Sequence, residues 1–349
     1  MLFTKKSLSS SIFFAVCLLF TPKAFGNLPY ATITLPSDNR SHADNPKVMT
    51  EWWYYTGKLV AEPRGKGKEK HFAYTLNLRY TKNIMGKIPE VIFQIIDLDD
   101  NRIYANTVLL TDGQMETDRL YIASRQFLLE DGGGAKKYHI KLAIPTSEGN
   151  ISLDLELKPE KKPLFIGLNP AQSGLIDMGN GTNSFYYSIT RLQTEGTIHI
   201  ANQLYSINPD PCYSRSWMDH QWGDFHLADI IKNKRWFWIG LQLSDGTDIN
   251  IGKFVPRESG STAGEAHANI SMPNGRSTYT TALITQEIDE NHTFKGYKIQ
   301  IDDKFYHLHF IKPKLSKSDI WMSVMSVNGR SILEPNASFA IVENTIENR

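Results

Sequence analysis

Trp217-Met218-Asp219-His220-Gln221-Trp222-Gly223 places a carboxylate, an imidazole and two indoles within seven residues. Burying such groups is costly unless each polar atom finds a partner. An earlier segment, Glu51-Trp52-Trp53-Tyr54-Tyr55-Thr56-Gly57, is another acid set among aromatic rings. Read as an extended strand, the later segment alternates its faces. Trp217, Asp219 and Gln221 fall on one side, and His220 and Trp222 on the other. Asp219 and His220 therefore form no direct dyad in a regular strand. Gly223 permits a sharp bend or a close backbone approach. The two segments are expected to meet in space, because a shared site lets their donors and acceptors pair.

Working outward, period two dominates the chain. Phe72–Tyr80 alternates apolar and polar over most of its length. Ile151, Leu153, Leu155 and Leu157 alternate with Ser152, Asp154, Glu156 and Lys158. Such alternation predicts half-buried strands. Further strands are expected at 91–98, 103–110, 120–129, 138–144, 186–192 and 197–201. The C-terminal third adds 236–243, 248–254, 279–288, 297–301, 305–311 and 320–327. Gly, Asn and Asp punctuate them, as in Asp131-Gly132-Gly133-Gly134, Asp245-Gly246 and Asn328-Gly329. No helical stripe longer than three turns stands out. The expectation is an all-β protein with too many strands for one eight-stranded barrel. Two barrel-like domains satisfy the count, joined near Phe225.

Four segments in order carry a resemblance to a known family. His42 precedes Glu51–Gly57; Tyr186-Tyr187-Ser188-Ile189-Thr190-Arg191-Leu192 is followed by Gly196; Trp217–Gly223 comes next. Trp236-Phe237-Trp238-Ile239-Gly240-Leu241-Gln242-Leu243-Ser244-Asp245-Gly246 completes the series. The chain resembles the AttH/carotenoid 1,2-hydratase (CrtC) family of lipocalin-like proteins. Gln221 is a departure, standing where the family usually carries Glu. The resemblance implies two lipocalin-like antiparallel β-barrel domains packed together, here bounded as 27–224 and 225–349. It also implies a catalytic part for the residues at His220 and Trp222.

Lys5 and Lys6 precede an apolar run from Ser11 to Phe20, and Ala24-Phe25-Gly26 offers small residues where a signal peptidase reads. This layout predicts a signal peptide over 1–26 and an exported protein, periplasmic or secreted. Cys17 would leave with the leader. Cys212 would then be the single mature cysteine, which excludes an intrachain disulfide. The net charge of +1 argues against a nucleic-acid partner. Arg64-Gly65-Lys66-Gly67-Lys68-Glu69-Lys70 reads as a solvated hairpin loop, with peripheral contact to an anionic membrane the lesser reading.

These features support an exported protein that binds a hydrophobic, lipid- or isoprenoid-like small molecule. The alternative is a CrtC-type hydratase adding water to a carbon–carbon double bond; a structural module without a ligand is a third reading. A hydratase needs an acid to protonate the alkene, an apolar pocket and aromatic faces for the cation. Asp219, His220 and Trp222 are the catalytic candidates. Glu51, Trp52, Tyr54, Tyr187, Trp217 and Trp238 are the candidates for lining the ligand site. Asp219 as a hydrogen-bond anchor between sheets is the simpler reading of that residue. His307 and His309 share a strand face, but no acid at obvious spacing completes a metal set. No metal or cofactor is expected.

Overall fold

The computed structural model describes residues 32–167, 169–259, 261–311 and 320–345. The expected signal peptide at 1–26 lies outside the described residues. Ile33–Arg349 forms one unit. The first strands are β1 (Thr50–Pro63), β2 (Lys70–Thr81), β3 (Glu90–Asp97), β4 (Arg102–Leu109), β5 (Gln114–Met115), β6 (Tyr121–Ala123) and β7 (Phe127–Asp131). They are followed by β8 (Tyr138–Thr146), β9 (Gly149–Pro159), β10 (Leu164–Phe165), β11 (Leu175–Gly179), β12 (Thr182–Ile200), β13 (Gln203–Ile207) and β14 (Arg215–Gly223). A short helix, α1 (Leu227–Asn233), then leads to β15 (Lys234–Gln242), β16 (Asp248–Pro256), β17 (Gly264–Ser271) and β18 (Ser277–Ile288). The chain continues through β19 (Phe294–Ile301), β20 (Lys304–Phe310), β21 (Ile320–Val327) and β22 (Phe339–Thr345).

Among the described residues, β1–β14 form one antiparallel sheet of fourteen strands, and β15–β22 close into an eight-stranded barrel. The alternation read in the sequence decides which faces turn inward. Phe72, Tyr74, Leu76, Leu78 and Tyr80 of β2 meet Ile151, Leu153, Leu155 and Leu157 of β9 in one core, so the sheet curls around its own interior. Asn106 Nδ2 on β4 donates to Pro145 O on β8 at 2.7 Å, drawing distant parts of the sheet together. The barrel encloses a separate core that includes Phe237, Ile251, Ile299 and Leu308.

Three sequence-read strands differ in detail. Residues 120–129 hold a hairpin, β6 and β7, because polar Ser124-Arg125-Gln126 turns the chain. Residues 186–192 and 197–201 belong mostly to one long strand, β12. Its register shifts between Ile189 and Leu192, and at Gly196 a Cβ would lie 2.0 Å from Asp154 O. The basic run after β1 is the hairpin loop to β2.

Sheet and barrel pack through aromatic residues, including Tyr54, Trp217 and Trp238. Burying each large ring contributes roughly 2–3 kcal/mol. Polar clamps supply register. Buried Asp248 on β16 meets Arg191 on β12 at 2.7 Å and Lys161 at 2.8 Å. Gln242 Nε2 on β15 donates to Thr190 O at 2.6 Å and Ser216 O at 3.0 Å.

Candidate functional site

β14 lies between β1 and β12, and all nine of its residues are buried. Its two faces meet different surroundings, which is why polar and aromatic groups crowd both sides. In register, Glu51 opposes Trp222, Trp53 opposes His220, and Tyr54 opposes Asp219. The two aromatic-acid segments are thus neighbours along their whole length. The pleat then divides the sequence-derived candidates into two groups. Glu51, Tyr187, His220 and Trp222 face the interior of the sheet, whereas Trp52, Tyr54, Trp217, Asp219 and Trp238 face the barrel. Asp219 and His220 do not share a site.

On the interior face, Glu51 is the hub. Its Oε1 lies 2.8 Å from both His42 Nδ1 and His220 Nε2. Its Oε2 accepts from Tyr80 OH at 2.6 Å and from the His42 amide at 2.9 Å. Burial opposes ionisation of Glu51, but the hydrogen bonds from His220 and His42 outweigh it and hold the pKa at about 2. Burial pushes His220 down to about 4 despite Glu51. Burial also opposes protonation of His42, yet Asp38 and Glu51 together raise it. The neutral-pH state is therefore an ionised Glu51 between a neutral His220 and a more readily protonated His42.

That assignment orders the protons. His220 carries its proton on Nε2 toward Glu51, which leaves Nδ1 as an acceptor 3.3 Å from Tyr187 OH. Tyr187 OH donates to Asn39 Oδ1 at 2.9 Å, and Tyr138 OH donates to the same oxygen at 3.1 Å. Trp53 stacks on His220 at 4.6 Å and Trp222 on His42 at 4.3 Å, which favours the cationic form of His42. One ligand atom each from His42, Glu51 and His220 lies within 4.8 Å of the others, a metal-sized set. Those atoms are hydrogen-bonded to one another as an internal ion-pair network, while His42 Nε2, 3.5 Å from Asp38 Oδ1, makes no hydrogen bond among the described residues. Such a network makes specific register between β1, β14 and the 38–42 segment, at the cost of desolvation.

On the barrel face, Asp219 Oδ1 accepts from Ser188 Oγ at 2.5 Å and Trp217 Nε1 at 2.6 Å. Its Oδ2 accepts from Tyr186 OH at 2.8 Å, and Asn250 Nδ2 on β16 donates to the same hydroxyl at 2.9 Å. Burial raises Asp219 to about 6 against the pull of these donors. Glu343 on β22 lines the same space; burial first, then the Asp219 charge, raises it to about 8. The adjacent carboxyls are thus set apart in acidity.

Between sheet and barrel runs a groove. A narrow centre of about 70 Å³ is lined by Trp52, Tyr54, Tyr186, Asp219, Trp238 and Glu343 among others. It shares Tyr54, Asn77 and Glu343 with a wider cleft of about 550 Å³, and Tyr186, Trp236 and Phe254 with another of about 510 Å³. Among the described residues, four buried polar atoms of its walls make no hydrogen bond: Tyr54 OH, Trp238 Nε1, Asn77 Oδ1 and Gln94 Nε2. Unpaired buried groups cost about 1–3 kcal/mol each, so their grouping around one space identifies it as a place for water or ligand.

Sequence reasoning missed Tyr186, Asn250 and Glu343. Tyr186 was quoted beside Tyr187, but only pairing with β14 shows that Tyr186 is the one facing Asp219. Glu343 and Asn250 carry no local signal of their partner. Tyr187 instead sits beside His220, away from the groove.

Fold and site together define a class: an all-β protein in which a curled sheet packs on a closed barrel, with an acid- and aromatic-lined groove between them. The sequence matches the AttH-like family over residues 27–295, and the chain belongs to that family. No curated protein matches it significantly. The structure is similar to an AttH protein of Nitrosomonas europaea, with a TM-score of 0.69 and 16% identity over 91% of this chain and 98% of that one. It is also similar to kievitone hydratase of Nectria haematococca, with a TM-score of 0.64 and 13% identity over 91% and 94%. CghA in complex with Sch210972 gives 0.55 and 9% identity over 85% and 88%. At these identities the likeness is one of fold.

Proposed function

We propose that this protein binds an apolar small molecule bearing an oxygen function in the groove between sheet and barrel. The observation that carries this reading is the set of unpartnered polar atoms on a wall lined by aromatic rings and by Asp219 and Glu343. An isoprenoid-like or phenolic ligand would offer rings or alkene to Trp52 and Trp238, and oxygen to Tyr54 OH and Trp238 Nε1. The basic and apolar N-terminus supports export before this binding takes place.

The acidity difference between Glu343 and Asp219 favours a second reading, hydration of a carbon–carbon double bond. Near neutral pH, Glu343 with a pKa of about 8 holds its proton, whereas Asp219 at about 6 is mostly ionised. The Glu343 proton would form a bond to one alkene carbon using the π pair. The other carbon becomes cationic beside the indoles. Water then bonds to that carbon, and its surplus proton passes to Asp219. Proton return to Glu343 completes the cycle with no redox partner. The structural likeness to a hydratase supports this reading.

Mass spectrometry of an organic extract of the purified protein, with tryptophan-fluorescence titration by farnesol and by a prenylated phenol, tests the binding. A retained apolar ligand, or saturable quenching weakened by Trp238→Phe, is the expected result. An empty extract together with no saturable response to either probe overturns the proposal. Incorporation of ¹⁸O from labelled water into a bound alkene reads the hydration directly.

A further inference from the structure

The strand β20 carries His307 and His309 on the face opposite buried Leu308. The sequence leaves this pair without a third ligand, and the structure supplies one from two strands away. Glu287 on β18 pairs with Gly296 on β19, and Gly296 pairs with His309 on β20. The middle residue has no side chain, so the carboxylate and the imidazole meet across it. A Cβ at Gly296 would lie 1.8 Å from Leu308 O, so the backbone itself keeps this gap open.

Glu287 Oε1 is 2.6 Å from His307 Nδ1, in a hydrogen bond. Oε2 is 3.0 Å from His309 Nε2, yet it is buried and has no hydrogen-bond partner. Two ligand-type atoms at this separation, misaligned for sharing a proton, are a pair that a cation can bridge in place of their direct contact. Zinc sits about 2.0–2.2 Å from imidazole nitrogen and carboxylate oxygen, which puts two such ligands about 2.9–3.4 Å apart at ordinary coordination angles.

We propose that Glu287 and His309, joined by His307, form a divalent transition-metal site on the outer face of the barrel. Imidazole with carboxylate suits Zn²⁺, Cu²⁺ or Ni²⁺ rather than Mg²⁺ or Ca²⁺. Glu287 Oε2 and His309 Nε2, 3.0 Å apart, offer the first two ligand atoms. The two imidazole centroids are 6.4 Å apart with 26° between planes, so His307 turns its ring to complete the set. The His307 and His309 side chains are 40% and 43% exposed, which leaves an entry path and room for bound water. Lys298 opposes His307 in register, but its ammonium lies over the Phe305 ring at 4.5 Å. A bound ion ties β18 to β20 across β19. This site is independent of the groove and of whatever occupies it.

Calorimetric titration of the full chain with Zn²⁺ tests the site, alongside Cu²⁺ electron paramagnetic resonance. The expected result is saturable binding of one equivalent, weakened about tenfold or more by Glu287→Gln and by His309→Ala. The Cu²⁺ spectrum shows nitrogen coupling from two imidazoles in the native chain and from one in His307→Ala. Far-ultraviolet circular dichroism checks that these surface variants fold. Absence of saturable Zn²⁺ binding, or binding that persists in the Glu287→Gln/His309→Ala double variant, overturns the proposal.

Discussion

Replacing Glu51 with Gln tests the buried network most directly. The native carboxylate takes hydrogen bonds from His42, His220 and Tyr80 at 2.6–2.9 Å while fully buried. Glutamine keeps one carbonyl oxygen but turns an NH₂ group toward donors that need an acceptor. The magnitude follows from linkage. The folded pKa of about 2, against an ordinary value of 4.5, makes the ionised form the stabilising one. A depression of this size corresponds to about 3 kcal/mol, present above pH 4.5 and lost as pH falls toward 2. Removing one partner of a buried ion pair costs about 3–5 kcal/mol, in agreement. Glu51→Gln is therefore expected to lose about 3 kcal/mol at pH 7, or roughly 4–5 °C in Tm. His220 adds to acid sensitivity: its folded pKa of about 4 lies below the ordinary value of 6.5, so the folded state loses stability as pH falls through that window. Guanidinium melts of both proteins at pH 7 and pH 3 measure the difference. A loss below about 1 kcal/mol at pH 7, or an unchanged gap at pH 3, refutes the network as an important source of stability.

Asp248→Asn removes the counter-charge of Arg191 and Lys161 at the sheet–barrel interface and should cost about 3–5 kcal/mol in chemical denaturation. Tyr54→Phe deletes an unpartnered hydroxyl, so stability should hold or rise while farnesol affinity falls about fivefold, or about 1 kcal/mol. Asp219 and Glu343 are raised to about 6 and about 8, so the folded state retains protons that the unfolded chain releases. Their contribution is full below the ordinary values of 3.8 and 4.5 and is lost as pH rises through about 6 and about 8. Glu343→Gln should flatten the decline of Tm between pH 6 and 9; an unaltered slope would show that Glu343 titrates normally.

Much of the fold was legible because period two is imposed locally. A strand with Phe72, Tyr74, Leu76, Leu78 and Tyr80 on one side has to bury that side, whatever its neighbours are. The same rule separated Asp219 from His220 before any contact was known, and the structure places them on opposite faces. The four ordered aromatic segments pointed to the AttH-like family that the chain belongs to. Strand ends were less legible. The break at Ser124-Arg125-Gln126 and the continuity of β12 past Gly196 depend on hydrogen bonds made by distant strands.

The sequence by itself determined the strand faces and the residue types that needed partners. Tertiary structure alone decided which partners they met. Tyr186 rather than Tyr187 reaches Asp219, because a one-residue step reverses the face along β12. Glu343 becomes an unusually weak acid only because the barrel carries β22 against the sheet, and Glu287 reaches His309 only across the bare backbone of Gly296. Alternation is a property of a few consecutive residues. Burial, acidity and ligand geometry arise from pairings between segments far apart in the chain, which no local pattern records.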